Sequence, residues 1–200
     1  MKSIDLKGTV REEVGKKNNR TLRAGDNVPC VLYGGKESMF FSVVEKDLKE
    51  IIYTPNVYLI ALNIEGKKFT AKIQDIQYHP VSDKPLHIDF LEVSADKSIV
   101  MEIPVRVEGN SIGVKEGGKL IQDLRKVKVK SLVKNLPDEI VVDITELSLG
   151  KSITVGELSK KNVEFLNLVT SPVVSVKLTR AARGAAETAA AATPAAAAKK

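Results

Sequence analysis

Two blocks of residues have types and spacing suited to chemistry. From Arg11 to Arg23 five basic residues, Arg11, Lys16, Lys17, Arg20 and Arg23, face only Glu12 and Glu13, with Gly15, Asn18 and Asn19 between them. Guanidinium groups pair bidentately with phosphate, and several cations on one flexible segment can follow a nucleic-acid backbone. A solvated surface loop has the same composition. Tyr33 follows at the edge of the next apolar run, where its ring can stack on a base or ribose or half-fill a core. The second block is Gln74-Asp75-Ile76-Gln77-Tyr78-His79-Pro80 together with Leu86-His87-Ile88-Asp89-Phe90. Strand alternation puts Ile73 and Asp75 on one face and Gln74 and Ile76 on the other. It sets His87 and Asp89 together, opposite Leu86, Ile88 and Phe90. Both histidines of the chain lie here, so a metal-dependent hydrolase built on His79, His87 and Asp89 has to be weighed. No His-Glu-x-x-His helix or added carboxylate cluster accompanies them, and the pattern favours a His/Asp hydrogen-bonding pair that serves structure or base edges.

Other charged or glycine-rich stretches read as structure. Lys126, Lys128 and Lys130 share one face of a strand, as lysines that blunt an edge or face solvent do. Gly113 to Gly118 lacks the Gly-Lys-Ser/Thr ending of a phosphate loop and reads as a turn. With no Ser/His/Asp order and no strained nucleophile motif, the chain is expected to be no enzyme, and to need no metal, cofactor or small-molecule substrate.

The elements that must hold these blocks are mainly strands with short helices, because β-branched alternation is broken by turn residues at short intervals. Ile4, Leu6 and Val10 open a strand, and Pro29 to Tyr33 with Met39 to Val43 make a hairpin around Gly34-Gly35. Val44, Leu48, Ile51 and Ile52 form one stripe of a short helix that Pro55 ends. Val57 to Ile64 and Lys68 to Tyr78 make a second hairpin across Glu65-Gly66-Lys67, and His87 to Val93 closes the set. The polar run from Arg11 to Arg23 reads as a loop with little core contact. Alternation stops at Ala95-Asp96-Lys97-Ser98 and resumes at Ile99, which divides the chain into domains at 1–95 and 96–180. Second-half strands are expected at Ile99 to Val107, Lys119 to Ile121, Val127 to Leu132, Glu139 to Ile144 and Val173 to Leu178, with one helical turn at Val155 to Leu158. Residues 181–200, of which 12 are Ala, offer no large apolar side chain to dock a helix and read as a disordered tail.

Over 200 residues, 31 Lys and Arg against 25 Asp and Glu give a net charge of +6, and 43% hydrophobic residues suffice for a buried core. The charge is uneven: the basic excess of the first 36 residues precedes a stretch to residue 95 in which acids outnumber bases. No apolar run is long enough for a membrane span, and the start lacks the apolar stretch of a signal peptide. The only cysteine, Cys30, sits in an apolar strand and excludes an internal disulfide, which fits a cytosolic compartment.

At the two chemical blocks the sequence resembles a known family. Arg11-x-x-x-Gly15-Lys16, then Arg20-x-Leu22-Arg23-x-Gly25-x-x-Val28-Pro29-x-Val31-Leu32-Tyr33-Gly34-Gly35, then Gln77-x-His79-Pro80 and His87-Ile88-Asp89-Phe90 are similar to the bacterial large-subunit ribosomal proteins that bind 5S rRNA. That family is the twenty-fifth large-subunit protein, and the sequence resembles its long form, called the general stress protein Ctc. Ile103-Pro104-Val105, Gly117-Gly118, Leu136-Pro137, Val142-Asp143-Ile144 and Leu147-x-Leu149-Gly150-Lys151-Ser152-Ile153 resemble the C-terminal β domain of that long form. The resemblance implies a six-stranded β-barrel that grips 5S rRNA in the central protuberance, followed by a second β-rich domain. Large-subunit proteins and 23S rRNA are its further implied partners, on the cytoplasmic ribosome. It places RNA contacts on Arg11, Lys16, Asn19, Arg20, Arg23, Tyr33, Gln74, Gln77, His87 and Asp89. The basic side chains would clamp phosphate, and Gln74, Gln77, His87 and Asp89 would meet base edges or 2′-hydroxyls. Lys17-Asn18-Asn19 stands where the family has small residues, and Tyr78 where a basic residue sometimes occurs. A stress-induced RNA-binding protein acting off the ribosome would carry the same motifs.

Overall fold

Strands whose alternate side chains are apolar bury one face each, and six of them close that face on itself. The computed structural model describes residues 2–35, 37–94, 97–158 and 163–179. The expected tail at 181–200 and Ala95-Asp96 of the expected boundary lie outside the described residues. The chain divides into two compact units, one of residues up to Val100 with Ser131–Asp138 and one of Met101–Lys130 with the residues from Glu139 onward.

In the first unit the chain runs β1 (Lys2–Val10), α1 (Lys16–Ala24), β2 (Asn27–Tyr33), β3 (Met39–Val44), α2 (Glu45–Ile52), β4 (Tyr58–Ile64), β5 (Lys67–Tyr78) and β6 (Pro85–Glu92). The strands form a closed barrel in the order β1-β3-β2-β6-β5-β4, which leaves no free sheet edge. The β1/β4 and β2/β6 pairs are parallel and the others antiparallel. Leu6, Cys30, Leu32, Phe41, Val43, Ile60, Leu62, Ile64, Ile88 and Phe90 point inward and are buried. At the centre the rings of Phe41 and Phe90 lie 5.5 Å apart, tilted by 43°. The stripe on α2 packs Leu48 and Ile51 onto this core, with Ile52 partly buried beside them. Val44, just before the helix, stays exposed.

Two expectations are corrected here. Only residues 11–15 of the run from Arg11 to Arg23 are a loop: residues from Lys16 onward form α1. Lys, Arg, Leu and Ala are good helix formers, but the helix buries no residue, so its sequence carries no apolar period. Side-chain hydrogen bonds at its two ends hold it instead. The second correction concerns β5. Ile73 opposes Phe90 and Asp75 opposes Asp89, with Gln74 as an extra residue between them. This β-bulge breaks the alternation, so Ile73 packs on the core while Asp75 is exposed. The two do not share a face.

The second unit contains most of β7 (Ser98–Glu108), then α3 (Ile112–Lys115), β8 (Lys119–Gln122), most of β9 (Lys126–Leu132), β10 (Ile140–Asp143), β11 (Ser152–Thr154), β12 (Glu164–Phe165) and β13 (Pro172–Lys177). One sheet has the order β10-β7-β9-β12 and the other β11-β13-β8. Ile103, Val127, Val129, Ile140, Val142, Val173, Val174 and Val176 are buried here, while Lys126, Lys128 and Lys130 face outward. Lys128 and Lys130 stand 3.8 Å and 3.6 Å from Glu102 and Glu164. The glycine-rich stretch expected as a turn begins instead with the single helical turn α3, capped by the Ser111 hydroxyl, which accepts from the Val114 amide at 3.3 Å. Gly113 is required there, since a Cβ would lie 2.6 Å from the backbone nitrogen of Leu149. The expected helical turn at Val155 is a 3₁₀ turn over Val155–Glu157.

Candidate nucleic-acid interface

Strands β2, β6 and β5 lie side by side, and their inward residues fix what faces outward. Because Ile88 opposes both Cys30 on β2 and Ile76 on β5, the next residues along form outward rows. Asp89 stands between Val31 and Asp75, His87 opposite Gln77, and Tyr33 beside Leu91. Gln74 in the bulge and Gln77 are both exposed. All of the polar readers expected from the second block therefore meet on one strip of the barrel.

His87 and Asp89 are joined directly, Nδ1 to Oδ1 at 2.8 Å, with 27% and 32% of their side chains exposed. A carboxylate only accepts, so Nδ1 carries the hydrogen and the ring is held in one orientation. Burial first, then the charges of Asp89 and Asp75, push the Tyr33 hydroxyl above the usual tyrosine range. Tyr33 stays an O–H donor at neutral pH.

Helix α1 packs against β2. At its C-terminal end the Arg23 Nε donates to the Leu86 carbonyl at 3.1 Å, next to His87. The helix then closes with the Gly25 amide donating to the carbonyls of Leu22 and Thr21, and the chain turns through Asp26 at φ 53°. At the other end the Arg11 guanidinium donates to the Asn19 side-chain oxygen. The Arg11 amide continues the β1 ladder to the Phe40 carbonyl at 2.9 Å. Two residues expected as RNA contacts are thus partners of one another. Their bond docks the first turn of α1, whereas Lys16 and Arg20 are exposed and make no ion pair among the described residues. Asn19→Ala should cost about 1 kcal/mol, the net worth of a typical hydrogen bond, read as a lower urea midpoint. Asn19→Asp should restore that midpoint by keeping an acceptor for Arg11.

His79 is directed elsewhere. Its Nδ1 accepts from the amides of Val81 and Ser82 at 3.3 Å and 3.2 Å, shaping the turn between β5 and β6. Among the described residues no three His, Cys, Asp or Glu side chains are grouped so as to hold a metal. The trio weighed for a hydrolase is not assembled. Sequence alternation misses Asp75, which the bulge brings to the strip; an extra residue in a strand has no composition that marks it.

Comparison with known proteins finds two family models that match successive stretches of the chain. Residues 6–90 match the family model described as Ribosomal L25p family, and residues 98–180 the model described as Ribosomal protein TL5, C-terminal domain. The chain is 50% identical over 196 residues to the large ribosomal subunit protein bL25 of Phocaeicola vulgatus, covering 94% of this chain and 99% of that one. It is 46% identical over 191 residues to the protein of the same name from Bacteroides fragilis, with 93% and 97% covered. It is also 46% identical over 188 residues to that of Porphyromonas gingivalis, with 93% and 98% covered.

Proposed function

The chain belongs to the ribosomal L25p family, in the form that carries a TL5-type C-terminal domain, and from that premise we propose that its barrel binds 5S rRNA in the central protuberance. As a family member it is a structural protein of the large ribosomal subunit and works on the ribosome in the cytoplasm. The finer reading assigns residues 1–95 to 5S rRNA and 96–180 to a second domain with its own neighbours in the subunit.

The observation that carries it is the exposed cationic helix laid beside a strip of hydrogen-bonding side chains. Lys16, Arg20 and Arg23 are exposed on α1, and Gln77, His87, Asp89 and Tyr33 project from the neighbouring strands. An A-form helix hides its major groove and offers a wide minor groove with phosphates on both rims and 2′-hydroxyls between. Cations then position the protein on phosphate, and the polar strip reads what lies between the rims. The aromatic share is only 4%, with no Trp, which fits a folded helix better than stacking along a single strand.

The test is a filter-binding titration of the full chain with 5S rRNA and with an unrelated hairpin, combined with sedimentation of large subunits from cells. Preferential binding of 5S rRNA and co-sedimentation are expected. Equal affinity for both RNAs would refute the 5S assignment, and a chain found only off the subunits would favour an RNA-binding role away from the ribosome.

A further inference from the structure

We infer that Asp75 is a specificity-determining residue of this face: with Asp89 and the outer ring nitrogen of His87 it forms a strip of acceptors that reads hydrogen-bond donors in an RNA minor groove. This rests on the RNA-binding reading above and adds to it the kind of group that is read. The donors such a groove offers are the guanine N2 amino group and the ribose 2′-hydroxyl.

The placement of Asp75 carries the inference. It opposes Asp89 directly across the antiparallel β5/β6 pair, and like charges in that position are unfavourable. Among the described residues Asp75 has no cationic partner, and Asp89 accepts the Nδ1 hydrogen of His87. Simple alternation from Ile73, which packs on the core, would point Asp75 inward. The extra residue Gln74 turns it out instead. Bulges that re-aim one side chain are over-represented beside functional sites.

The His87 ring has the same polarity. Its Nδ1 hydrogen is engaged by Asp89 at 2.8 Å, so in the neutral imidazole the Nε2 lone pair is the group left for a ligand. Two carboxylates and a bare ring nitrogen accept and do not donate. Phosphate, which also only accepts, is repelled by this strip and is left to the cations of α1. Gln77, opposite His87, and the Tyr33 hydroxyl can donate as well as accept, and they border the strip.

The two roles open to an unpaired surface carboxylate predict opposite signs. If Asp75 only repels phosphate, removing it tightens RNA binding; if it accepts from the RNA, removing it weakens binding. We expect Asp75→Ala to bind 5S rRNA roughly tenfold more weakly, as removal of a charge-assisted hydrogen bond implies, with an unchanged slope of affinity against salt. Relief of the Asp75/Asp89 repulsion should leave its melting temperature at or above that of the parent, and Asp75→Asn should share both directions. The groups read are identified with 5S rRNA sparsely substituted by phosphorothioate-tagged inosine, which lacks the N2 amine, or by 2′-deoxynucleotides. Positions at which these analogues impair binding of the parent protein should lose that effect with Asp75→Ala. Unchanged or tighter binding by Asp75→Ala, or an interference pattern identical to the parent's, overturns the assignment while leaving the RNA face intact. A parent protein that does not bind 5S rRNA overturns the face and the assignment together.

Discussion

Replacing Arg20 and Arg23 together by Ala should lower the affinity for 5S rRNA by about two orders of magnitude, on roughly 1.5 kcal/mol for each charge-assisted hydrogen bond. The same variant should flatten the dependence of log affinity on log salt by up to about 0.9 for each phosphate no longer neutralised, the duplex-DNA figure. The two arginines are not equivalent. Arg20 is exposed and makes no ion pair among the described residues, so Arg20→Ala alone removes a cation and little else. Arg23 also donates to the Leu86 carbonyl, so its replacement loosens the end of α1 next to His87 as well. The Arg23 variant should therefore lose more affinity than its change in salt slope accounts for. Replacing His87 should do the reverse, reducing the preference for 5S rRNA over an unrelated hairpin with little change in slope. Titrations at several salt concentrations check both, and an Arg20→Ala slope equal to the parent's would remove Arg20 from the clamp.

The largest effect on stability is expected from Phe90→Ala. Phe90 is fully buried, paired in register with Leu32 on β2 and Ile73 on β5, and tilted against Phe41. Truncating such a ring costs about 3–5 kcal/mol in transfer and cavity terms, and it also removes the ring-to-ring attraction with Phe41. Against a typical domain stability of about 5–15 kcal/mol, this brings the barrel close to unfolding. Phe90 shares β6 with His87 and Asp89, so RNA binding should fall with temperature far sooner in the variant than in the parent. Urea unfolding followed by circular dichroism measures the cost. Phe90→Leu, which keeps most of the volume, should recover a large part of it. A destabilisation below about 1 kcal/mol in Phe90→Ala, well short of the range for a buried ring, would mean that the barrel centre does not depend on Phe90.

What can be read in the sequence depends on whether a physical signal repeats along it. The barrel hairpins and α2 are legible because apolar residues recur at a period of two or on one helical stripe. The closure of six strands into a barrel comes from resemblance, since alternation says nothing of which strand neighbours which. Helix α1 is illegible because its support comes from Arg11, Asn19 and Arg23 hydrogen bonds, and polar anchors leave no period. The two-residue β12 and three-residue β11 are too short for alternation to register. At the site, period alone places His87 and Asp89 together, as the structure has them. It misplaces Asp75, because one inserted residue inverts every face assignment beyond it.

The parallel pairing of β1 with β4, from Lys2↔Tyr58 to Gly8↔Ile64, has a consequence for how the chain is made. Its N-terminal strand is synthesised first, yet the partner for most of its length is the fourth strand. Until β4 emerges, β1 can pair only through Thr9↔Ser42 and Val10↔Phe41 on β3. Nascent β1 is thus an unpaired strand held over a long interval, the situation in which hydrophobic segments join the wrong neighbour. Lys2, Asp5 and Lys7 interrupt it with exposed charges, which serve as gatekeepers against such pairing. Barrel closure joins strands far apart in the chain, and long-range pairing of this kind slows folding.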